Sequence, residues 1–372
     1  MEHVAVIGAG WTGAVVARLL ADAGCSVEIF ERSSVVGGHS RAEVLDGVVY
    51  EPNGAHIFHT SNPVVQRFVD RFGLSRPYEH CVVTEVHLDD TDAPIMLSWP
   101  PQVSELEQLP VWPTVERELA GLPERPHGQN FEDYVVSMMG RTLYGLFIRG
   151  YTEKQWGRDP RELSWRFAPK RVELRRDGYR RLFRDRWEFF APDGVNPVIE
   201  AIVGDIGCHF ETTVDLATAV DLSRRFDRLI VTAPLDELAG CSGELEWRGI
   251  EMHSRFIPTA EPNMTVTPAY VVNRPSHRVP YTRTVETKHA SGQHVMGTVV
   301  SEEHPGAPRR HYPVPTVSGE NERRNAELQQ QIASAVDCPV DYAGRLATYR
   351  YIDQDQAIED AMSTARRILD AA

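Results

Sequence analysis

A glycine-rich turn near the start of the chain constrains the fold more than any other feature. Residues 3–8 (HVAVIG) form a short apolar run typical of a buried parallel strand. Residues 12–23 then carry apolar side chains at helical spacing. Between the two lies the pattern G-x-G-x-x-G, made by Gly8, Gly10 and Gly13. This order of strand, turn and helix predicts a Rossmann-type βαβ unit that binds a dinucleotide.

Each glycine of the turn has a distinct physical task. Gly8 permits the tight turn, Gly10 lets the backbone approach a pyrophosphate, and Gly13 allows the helix to pack closely on the strand. The free N–H groups at the helix N-terminus then bind the phosphates. A second strand over 26–30 ends at Glu31, whose carboxylate is expected to accept hydrogen bonds from ribose hydroxyls.

A second glycine pair favours FAD over NAD as the dinucleotide. Gly37 and Gly38 follow Glu31 closely, so the chain is able to pass beside the same ligand. The alternative is a glycine-rich turn without a ligand. The predicted cofactor contacts in this region are Gly8, Gly10, Trp11, Thr12, Gly13, Glu31, Arg32, Gly37 and Gly38.

Composition and charge narrow the class of protein. With 372 residues, of which 42% are hydrophobic, the chain has enough material for two domains or one large discontinuous fold. A net charge of −14 argues against binding to nucleic acid or to an anionic membrane surface. No apolar run is long enough to span a membrane, and the first residues do not resemble a signal peptide. Five scattered cysteines indicate free thiols, so we expect a cytoplasmic protein.

The rest of the chain alternates between α/β, helical and β patterns. Helices are predicted at 62–73, 130–156, 195–203, 319–336 and 355–371, and strands within 82–98, at 228–232 and across 244–300. Residues 100–113 and 303–318 each hold four prolines and are predicted to be irregular. The return of α/β character late in the sequence predicts a nucleotide-binding domain interrupted by an insertion.

Four motifs resemble the UDP-galactopyranose mutase family over nearly the whole chain. They are GAHIFHT (54–60), GYTEKQWG (150–157), PYTR (280–283) and GRLATYRYID (344–353). The resemblance implies an α/β fold with a Rossmann-type FAD-binding domain, an inserted helical bundle and an antiparallel β-sheet domain. The expected FAD-binding domain comprises 1–75, 195–240 and 315–372, the helical domain 100–160, and the sheet domain 76–99, 161–194 and 241–314.

The resemblance also implies a reaction, in which the pyranose and furanose forms of a nucleotide-linked hexose are interconverted. In this family the flavin must be reduced but is not consumed, and its N5 atom forms a covalent adduct with the sugar while the ring opens and recloses. An external reductant, such as NAD(P)H or a flavin reductase, would then be a partner. A homodimer is the default expectation for a soluble enzyme.

Several residues match functional positions of the family. Arg171 and Arg283 match its diphosphate-binding arginines, a role that suits the planar guanidinium. The implied catalytic set also includes His56, Tyr351 and Asp353; Tyr151, Trp156 and Tyr312 would bind substrate, and His59, Arg345 and Tyr351 would contact the flavin. Trp156 has an alternative interpretation as ordinary core, His56 and His59 as structural histidines, and Asp353 as a helix N-cap.

One segment departs from the family pattern. Residues 177–187 read DGYRRLFRDRW, where the family has a tyrosine that stacks on uracil, and Leu182 falls at the stacking position. We therefore expect Tyr179, Arg180 and Arg181 to contact a different base. Because arginine donors match the O6 and N7 acceptors of guanine, a GDP-hexose is the hypothesis, and UDP-galactose is the rival.

Two functions of other classes remain open at this point. A true FAD-dependent oxidoreductase would share only the N-terminal unit and would oxidise its substrate. A catalytically inactive protein would bind flavin and nucleotide without forming an isomer. Arg171 and Arg283 count against both alternatives, and GYTEKQWG also counts against the oxidoreductase.

Overall fold

Two large β-sheets and a set of helices build the chain. The computed structural model describes residues 2–88, 93–170 and 172–371. Within these residues no helix is both long enough and apolar enough to cross a membrane.

The first sheet is parallel and contains the predicted βαβ unit. Its five strands, in spatial order, are Val340–Tyr342, Arg228–Val231, His3–Ile7, Ser26–Phe30 and Gly207–His209. Val4 and Val6 face one apolar core, whereas Ala5 and Ile7 face another. Both faces are therefore buried, which explains why the strand sequence is continuously apolar.

Helices cover both faces of the parallel sheet. One face packs against Trp11–Asp22, Asn196–Val203 and Gln354–Ala371. The other packs against Leu216–Ser223, Leu235–Leu238 and Glu320–Ala335. The predicted Rossmann-type α/β fold is confirmed.

The second sheet has six strands and is antiparallel except for one pair. In spatial order its strands are Trp247–Pro258, Gly297–Pro313, Arg283–Val285, Val271–Asn273, Val82–Val86 and Ile95–Trp99. The parallel pair joins Val271–Asn273 to Val82–Val86. Two short antiparallel pairs complete the β structure: Glu43–Leu45 with Val48–Tyr50, and Phe58–Thr60 with Trp187–Phe189.

The helical region lies between the two strands of the parallel pair in sequence. It comprises Val103–Leu106, Trp112–Ala120, Phe131–Leu143, a π-helical turn at Tyr144–Arg149, Gly150–Trp156, and short 3-10 turns at Pro160–Glu162 and Trp165–Lys170. The predicted helix over 130–156 is confirmed as three consecutive segments, Phe131–Leu143, Tyr144–Arg149 and Gly150–Trp156. The remaining helices are Gly38–Ser40, Pro63–Arg71, Lys288–Ser291 and Gly344–Ala347. The division into three domains by residue boundaries stays a prediction.

Two predictions of irregular structure were wrong. Residues 303–313 continue the strand Gly297–Pro313, although they contain three of the four prolines. From Pro305 onward this strand pairs only with Trp247–Pro258, and the pairing shifts register near Gly249, so a missing N–H is tolerated there. Residues 100–113 include the helix Val103–Leu106 and the start of Trp112–Ala120, where Pro113 lies in the first turn and loses no helical hydrogen bond.

Candidate active site

The glycine turn has the geometry that its sequence predicts. Gly8 has φ +107°, and a Cβ atom there would lie 2.3 Å from Thr232 Oγ1. A Cβ at Gly13 would lie 1.9 Å from the carbonyl oxygen of Gly8, so only glycine permits this approach of helix to strand. Gly10 is the N-cap of Trp11–Asp22, and no side chain caps that helix. Its first N–H groups are thus available to an anionic ligand.

Glu31 and the second glycine pair close around the same turn. The Glu31 carboxylate accepts hydrogen bonds from the backbone N–H groups of Ala9 (2.7 Å) and Ser33 (2.8 Å). Gly37 donates its N–H to the Ala9 carbonyl (2.9 Å), and a Cβ at Gly38 would lie 3.2 Å from Gly10 Cα. The two glycine-rich segments therefore support each other's backbone.

A cavity of about 400 Å³ opens above this turn, and we call it the glycine-rich cavity. Of the predicted cofactor residues, its wall includes Gly8, Gly10, Trp11, Thr12, Glu31, Arg32, Gly37 and Arg345. Gly13 and Gly38 lie behind this wall and shape its backbone. The glycine cradle, the uncapped helix N-terminus and the carboxylate of Glu31 fit the pyrophosphate and ribose of FAD.

A second cavity, of about 650 Å³, has nine Phe, Tyr and Trp residues in its described wall, and we call it the aromatic cavity. It shares His56, Arg345, Asp353 and Gln354 with the glycine-rich cavity, so the two meet at these residues. Its wall also includes the predicted Tyr151, Trp156, Arg283, Tyr312 and Tyr351. His59, predicted to contact the flavin, lies on this wall and hydrogen-bonds Asp185 at 2.9 Å.

Arg283 is held in the wall of the aromatic cavity by a fully buried carboxylate. Its Nη2 atom lies 2.7 Å from Glu303, and its Nε donates to the same oxygen at 2.8 Å. Thr282 donates to the other oxygen of Glu303 at 3.0 Å. Burial opposes the charge of Arg283, but Glu303 together with Tyr151 and Tyr312 outweighs burial, so the pKa of Arg283 stays well above its ordinary value.

The GYTEKQWG motif fixes the loop that leads to Arg283. A Cβ at Gly150 would lie 2.2 Å from the carbonyl oxygen of Pro275, so the helix approaches this loop as closely as glycine allows. The ammonium nitrogen of Lys154 lies 2.5 to 3.2 Å from four backbone carbonyl oxygens of the same loop, those of Arg274, Ser276, Val279 and Tyr281. Burial lowers the pKa of Lys154 to about 8.

An aromatic group stands beside the junction of the two cavities. The ring centroids of Trp156, Tyr312 and Tyr351 lie 5.5 to 6.4 Å apart. The guanidinium of Arg345 lies 5.4 Å from the rings of both tyrosines and donates to the Ile352 carbonyl at 3.0 Å. Arg345 thus presents a fixed positive charge at the junction.

His56 contributes a neutral imidazole to the junction. Burial, together with the charge of Arg345, lowers the pKa of His56 to about 3. Its Nδ1 atom is buried and has no hydrogen-bond partner among the described residues. Asp353 lies in the walls of both cavities, directly before the helix Gln354–Ala371, and its carbonyl accepts a hydrogen bond from Ala357.

The residues predicted to contact the base lie elsewhere. Tyr179, Arg180 and Arg181 are absent from the described wall of the aromatic cavity. Arg180 pairs with Glu105 at 3.1 Å, and Arg181 pairs with the buried Glu188 at 2.6 Å. The predicted catalytic Arg171 lies outside the described residues.

Several residues of the aromatic cavity were not singled out from the sequence. They are His80, Gln155, Glu173, Phe183 and Arg184. Arg184 lies in the segment 177–187 that departs from the family pattern. His80 and Gln155 have buried polar atoms, Nδ1 and Oε1, that lack partners within the described part of the chain. Gln155 lies within the GYTEKQWG motif, but no spacing in the sequence marks any of the five individually as a cavity residue.

Comparison with known proteins identifies the family. The family model for UDP-galactopyranose mutase matches residues 146–351, more than half of the chain. The chain belongs to the UDP-galactopyranose mutase family. Residues 6–72 also match the NAD(P)-binding Rossmann-like domain, which agrees with the glycine-rich cavity.

Named relatives match over nearly the whole chain. The chain is 27% identical to a dTDP-fucopyranose mutase of Escherichia coli, with 98% of each chain covered. It is 28% identical to a probable UDP-galactopyranose mutase of Klebsiella pneumoniae, covering 99% of this chain and 95% of the relative. A crystal structure of a reduced UDP-galactopyranose mutase superposes with a TM-score of 0.78 at 16% identity, covering 100% of this chain and 96% of the other, which shows the shared fold.

Proposed function

We propose that the chain is a flavin-dependent mutase that interconverts the pyranose and furanose forms of a nucleotide-linked hexose without net redox change. The observation that carries this proposal is the meeting of the glycine-rich and aromatic cavities at His56, Arg345, Asp353 and Gln354. FAD in the first cavity would supply, when reduced, a nucleophile for the anomeric carbon of a sugar in the second. Membership of the mutase family supports the same assignment.

Arg283 would bind the diphosphate leaving group. Glu303 accepts hydrogen bonds from Nε and lies against Nη2, which leaves the Nη1 edge for phosphate oxygens. A fixed cation lowers the energy of a transition state in which negative charge develops on the diphosphate. The resemblance to the family adds Arg171 as a second phosphate-binding group.

The tyrosines of the aromatic cavity would act as neutral hydrogen-bond donors. Burial raises the pKa of Tyr151 to about 12 and raises the pKa of Tyr312 further. Both hydroxyls therefore keep their protons at neutral pH and do not repel a diphosphate. We further propose that Tyr312, Tyr351 and Asp353 orient the sugar, with Trp156 against the ribose or sugar ring. The unpartnered atoms of His56, His80 and Gln155 suit sugar hydroxyls.

The nucleotide is proposed to be GDP, with UDP as the alternative. Arg180 and Arg181, which first suggested guanine, are paired with carboxylates. A third arginine of the same segment, Arg184, does line the aromatic cavity and supports the choice of GDP. The named relatives act on dTDP-fucopyranose and UDP-galactopyranose, which keeps a pyrimidine nucleotide as the rival.

The test is conversion of a sugar nucleotide by the reduced protein. Dithionite-reduced protein is incubated without oxygen with GDP-hexoses, UDP-galactose or dTDP-fucose, and pyranose and furanose products are separated by chromatography. We expect isomer formation only with reduced flavin. Net oxidation of the sugar with acceptor consumption would instead indicate an oxidoreductase, and binding without any isomer would indicate an inactive homologue.

The cellular setting is also a proposal. We propose that NAD(P)H or a flavin reductase keeps the flavin reduced in the cytoplasm and that the enzyme is a homodimer. Anaerobic reduction of the bound flavin by NADH and NADPH, followed by absorbance, tests the reductant. Light scattering of the FAD-loaded protein tests the oligomeric state.

A further inference from the structure

A buried arginine, Arg175, holds the segment between residues 173 and 184 together through hydrogen bonds. Only 2% of Arg175 is exposed. Its guanidinium donates to Glu173 at 2.8 Å and to the backbone carbonyls of Tyr179, Arg181 and Leu182. The ring of Tyr179 packs 5.3 Å from this guanidinium, and its hydroxyl donates to the Phe183 carbonyl. The segment is therefore a defined structure with a buried ionic centre rather than an open loop.

Within this segment an acidic and a basic side chain, Glu173 and Arg184, lie side by side on the cavity wall. Glu173 and Arg184 both line the aromatic cavity. Arg184 donates to one Glu173 oxygen through Nε (2.9 Å) and Nη2 (2.7 Å), while Arg175 donates to the other. About half of the Arg184 side chain and two fifths of the Glu173 side chain remain exposed. Because a carboxylate has about four acceptor positions and Glu173 already accepts three hydrogen bonds, about one position remains for a ligand.

Glu173 and Arg184 line the aromatic cavity but do not belong to the described wall of the glycine-rich cavity. The backbone of Arg175 bonds to Pro101 and Val103, next to the cavity residues Trp99 and Pro100. Trp99 in turn stacks with Phe147 at 6.3 Å. None of these cavity residues lies in the described wall of the glycine-rich cavity. If the sugar reacts at the junction, the aromatic-cavity residues outside the junction, Glu173 and Arg184 among them, are left for the nucleoside.

We propose that Glu173 and Arg184 together recognise the edge of a guanine base. This inference rests on the proposed function and names the base contacts of its substrate. Guanine presents two acceptors, N7 and O6, beside two donors, the N1–H and the 2-amino group. Nε and Nη2 of Arg184 contact Glu173, and Nη2 also contacts Asp177, so Nη1 of Arg184 would donate to the guanine acceptors. The remaining acceptor position of Glu173 would accept from the 2-amino group. The edge of uracil or thymine offers a single N–H between two carbonyl oxygens, which a carboxylate repels.

Comparison of GDP with inosine diphosphate tests the inference directly. The two nucleotides differ only in the 2-amino group, which is assigned to Glu173. Binding to the oxidised, FAD-loaded protein is measured by calorimetry for GDP, inosine diphosphate and UDP. We expect the wild type to bind GDP about tenfold or more tightly than either other nucleotide. Equal affinity for GDP and inosine diphosphate, or tighter UDP binding, would overturn the inference without requiring any variant.

Variants sharpen the result. In Glu173→Gln we expect GDP affinity to fall about 10- to 100-fold and the GDP preference over inosine diphosphate to disappear. Arg184→Gln should weaken both purine nucleotides and change UDP binding less. Arg176→Ala, an exposed arginine of the same segment, is the control and should change nothing.

An unchanged GDP preference in folded Glu173→Gln would contradict the assignment. Turnover of UDP-galactose with weak GDP binding would refute it and leave the mutase proposal intact, whereas no turnover of any sugar nucleotide would refute that proposal.

Discussion

The Nη2 atom of Arg283 lies 2.7 Å from a carboxylate oxygen of Glu303, and the side chain of Glu303 is fully buried. The two residues are direct partners on adjacent antiparallel strands, Arg283–Val285 and Gly297–Pro313. An arginine anchored in this way loses little side-chain freedom when it binds an anion. The preorganised cation at the cavity wall is thus a consequence of strand register.

Replacing Arg283 by lysine should impair catalysis while keeping the charge. Arg283→Lys retains a cation opposite Glu303 but loses the planar fork, so we expect kcat/KM for the sugar nucleotide to fall about 100-fold. Anaerobic product formation by the dithionite-reduced protein measures this, and flavin content confirms folding. Arg255→Ala, an exposed arginine of the same sheet, is the control. A fully active lysine variant would show that Arg283 does not bind the diphosphate.

Glu31 should control flavin affinity. Glu31→Gln replaces one acceptor by an N–H₂ group that faces the backbone N–H of Ala9 or Ser33, at contacts that are now 2.7 and 2.8 Å. We expect FAD affinity to fall about 5- to 150-fold. Fluorescence titration of the apoprotein measures it. Glu28→Gln alters a carboxylate on the same strand but outside the cavity and should bind FAD normally. Equal affinities in the two variants would contradict this role.

The sequence predicts the part of the site whose residues lie close together in the chain. Gly8, Gly13 and Glu31 act within one βαβ unit, so their spacing alone encodes the cradle. The positive φ of Gly8 and the contact of Gly13 with the Gly8 carbonyl are properties of a short stretch of chain. Motif resemblance adds Arg283 and Tyr351, because their sequence neighbours are distinctive.

The remaining part depends on contacts that no local pattern encodes. The partnership of Arg283 with Glu303 requires the register of two strands that are joined by a long connection. The fold of 173–184 depends on a guanidinium that binds backbone carbonyls, and carbonyls are the same in every residue. In a basic run, a buried arginine such as Arg175 is therefore indistinguishable from exposed ones such as Arg176. This explains why Tyr179, Arg180 and Arg181 were expected at the cavity in place of Glu173 and Arg184.

Glu51 should make stability depend on pH. Burial raises the pKa of Glu51 to about 7, although Tyr270 and the His56 N–H donate to it. The folded protein thus holds a proton that the unfolded chain releases near its ordinary value of 4.5. The stability from Glu51 is complete below that value and is lost as the pH rises through about 7.

The variant Glu51→Gln isolates this effect. The variant lacks the titrating group. Its stability minus that of the wild type, as free energy of unfolding, should therefore be about 2–3 kcal/mol larger at pH 8 than at pH 5. Urea denaturation of the FAD-loaded proteins at the two pH values measures the difference. Glu261→Gln, on the exposed surface, should show none. A constant offset between Glu51→Gln and wild type would mean that Glu51 is ionised throughout.

Gly150 should tolerate no side chain, in contrast to its neighbour Gly145. A Cβ at Gly150 would lie 2.2 Å from the Pro275 carbonyl, whereas nothing lies within 4 Å of a Cβ at Gly145. Gly150→Ala must push the helix away from the loop that Lys154 holds and that leads to Arg283. We expect a loss of about 1–3 kcal/mol in stability and a decrease in kcat/KM. Gly145→Ala should be neutral or stabilising, because alanine favours helix. Thermal unfolding and mutase assays of the two variants measure both effects, and equal behaviour of the pair would show that close packing of this motif against the loop does not position Arg283.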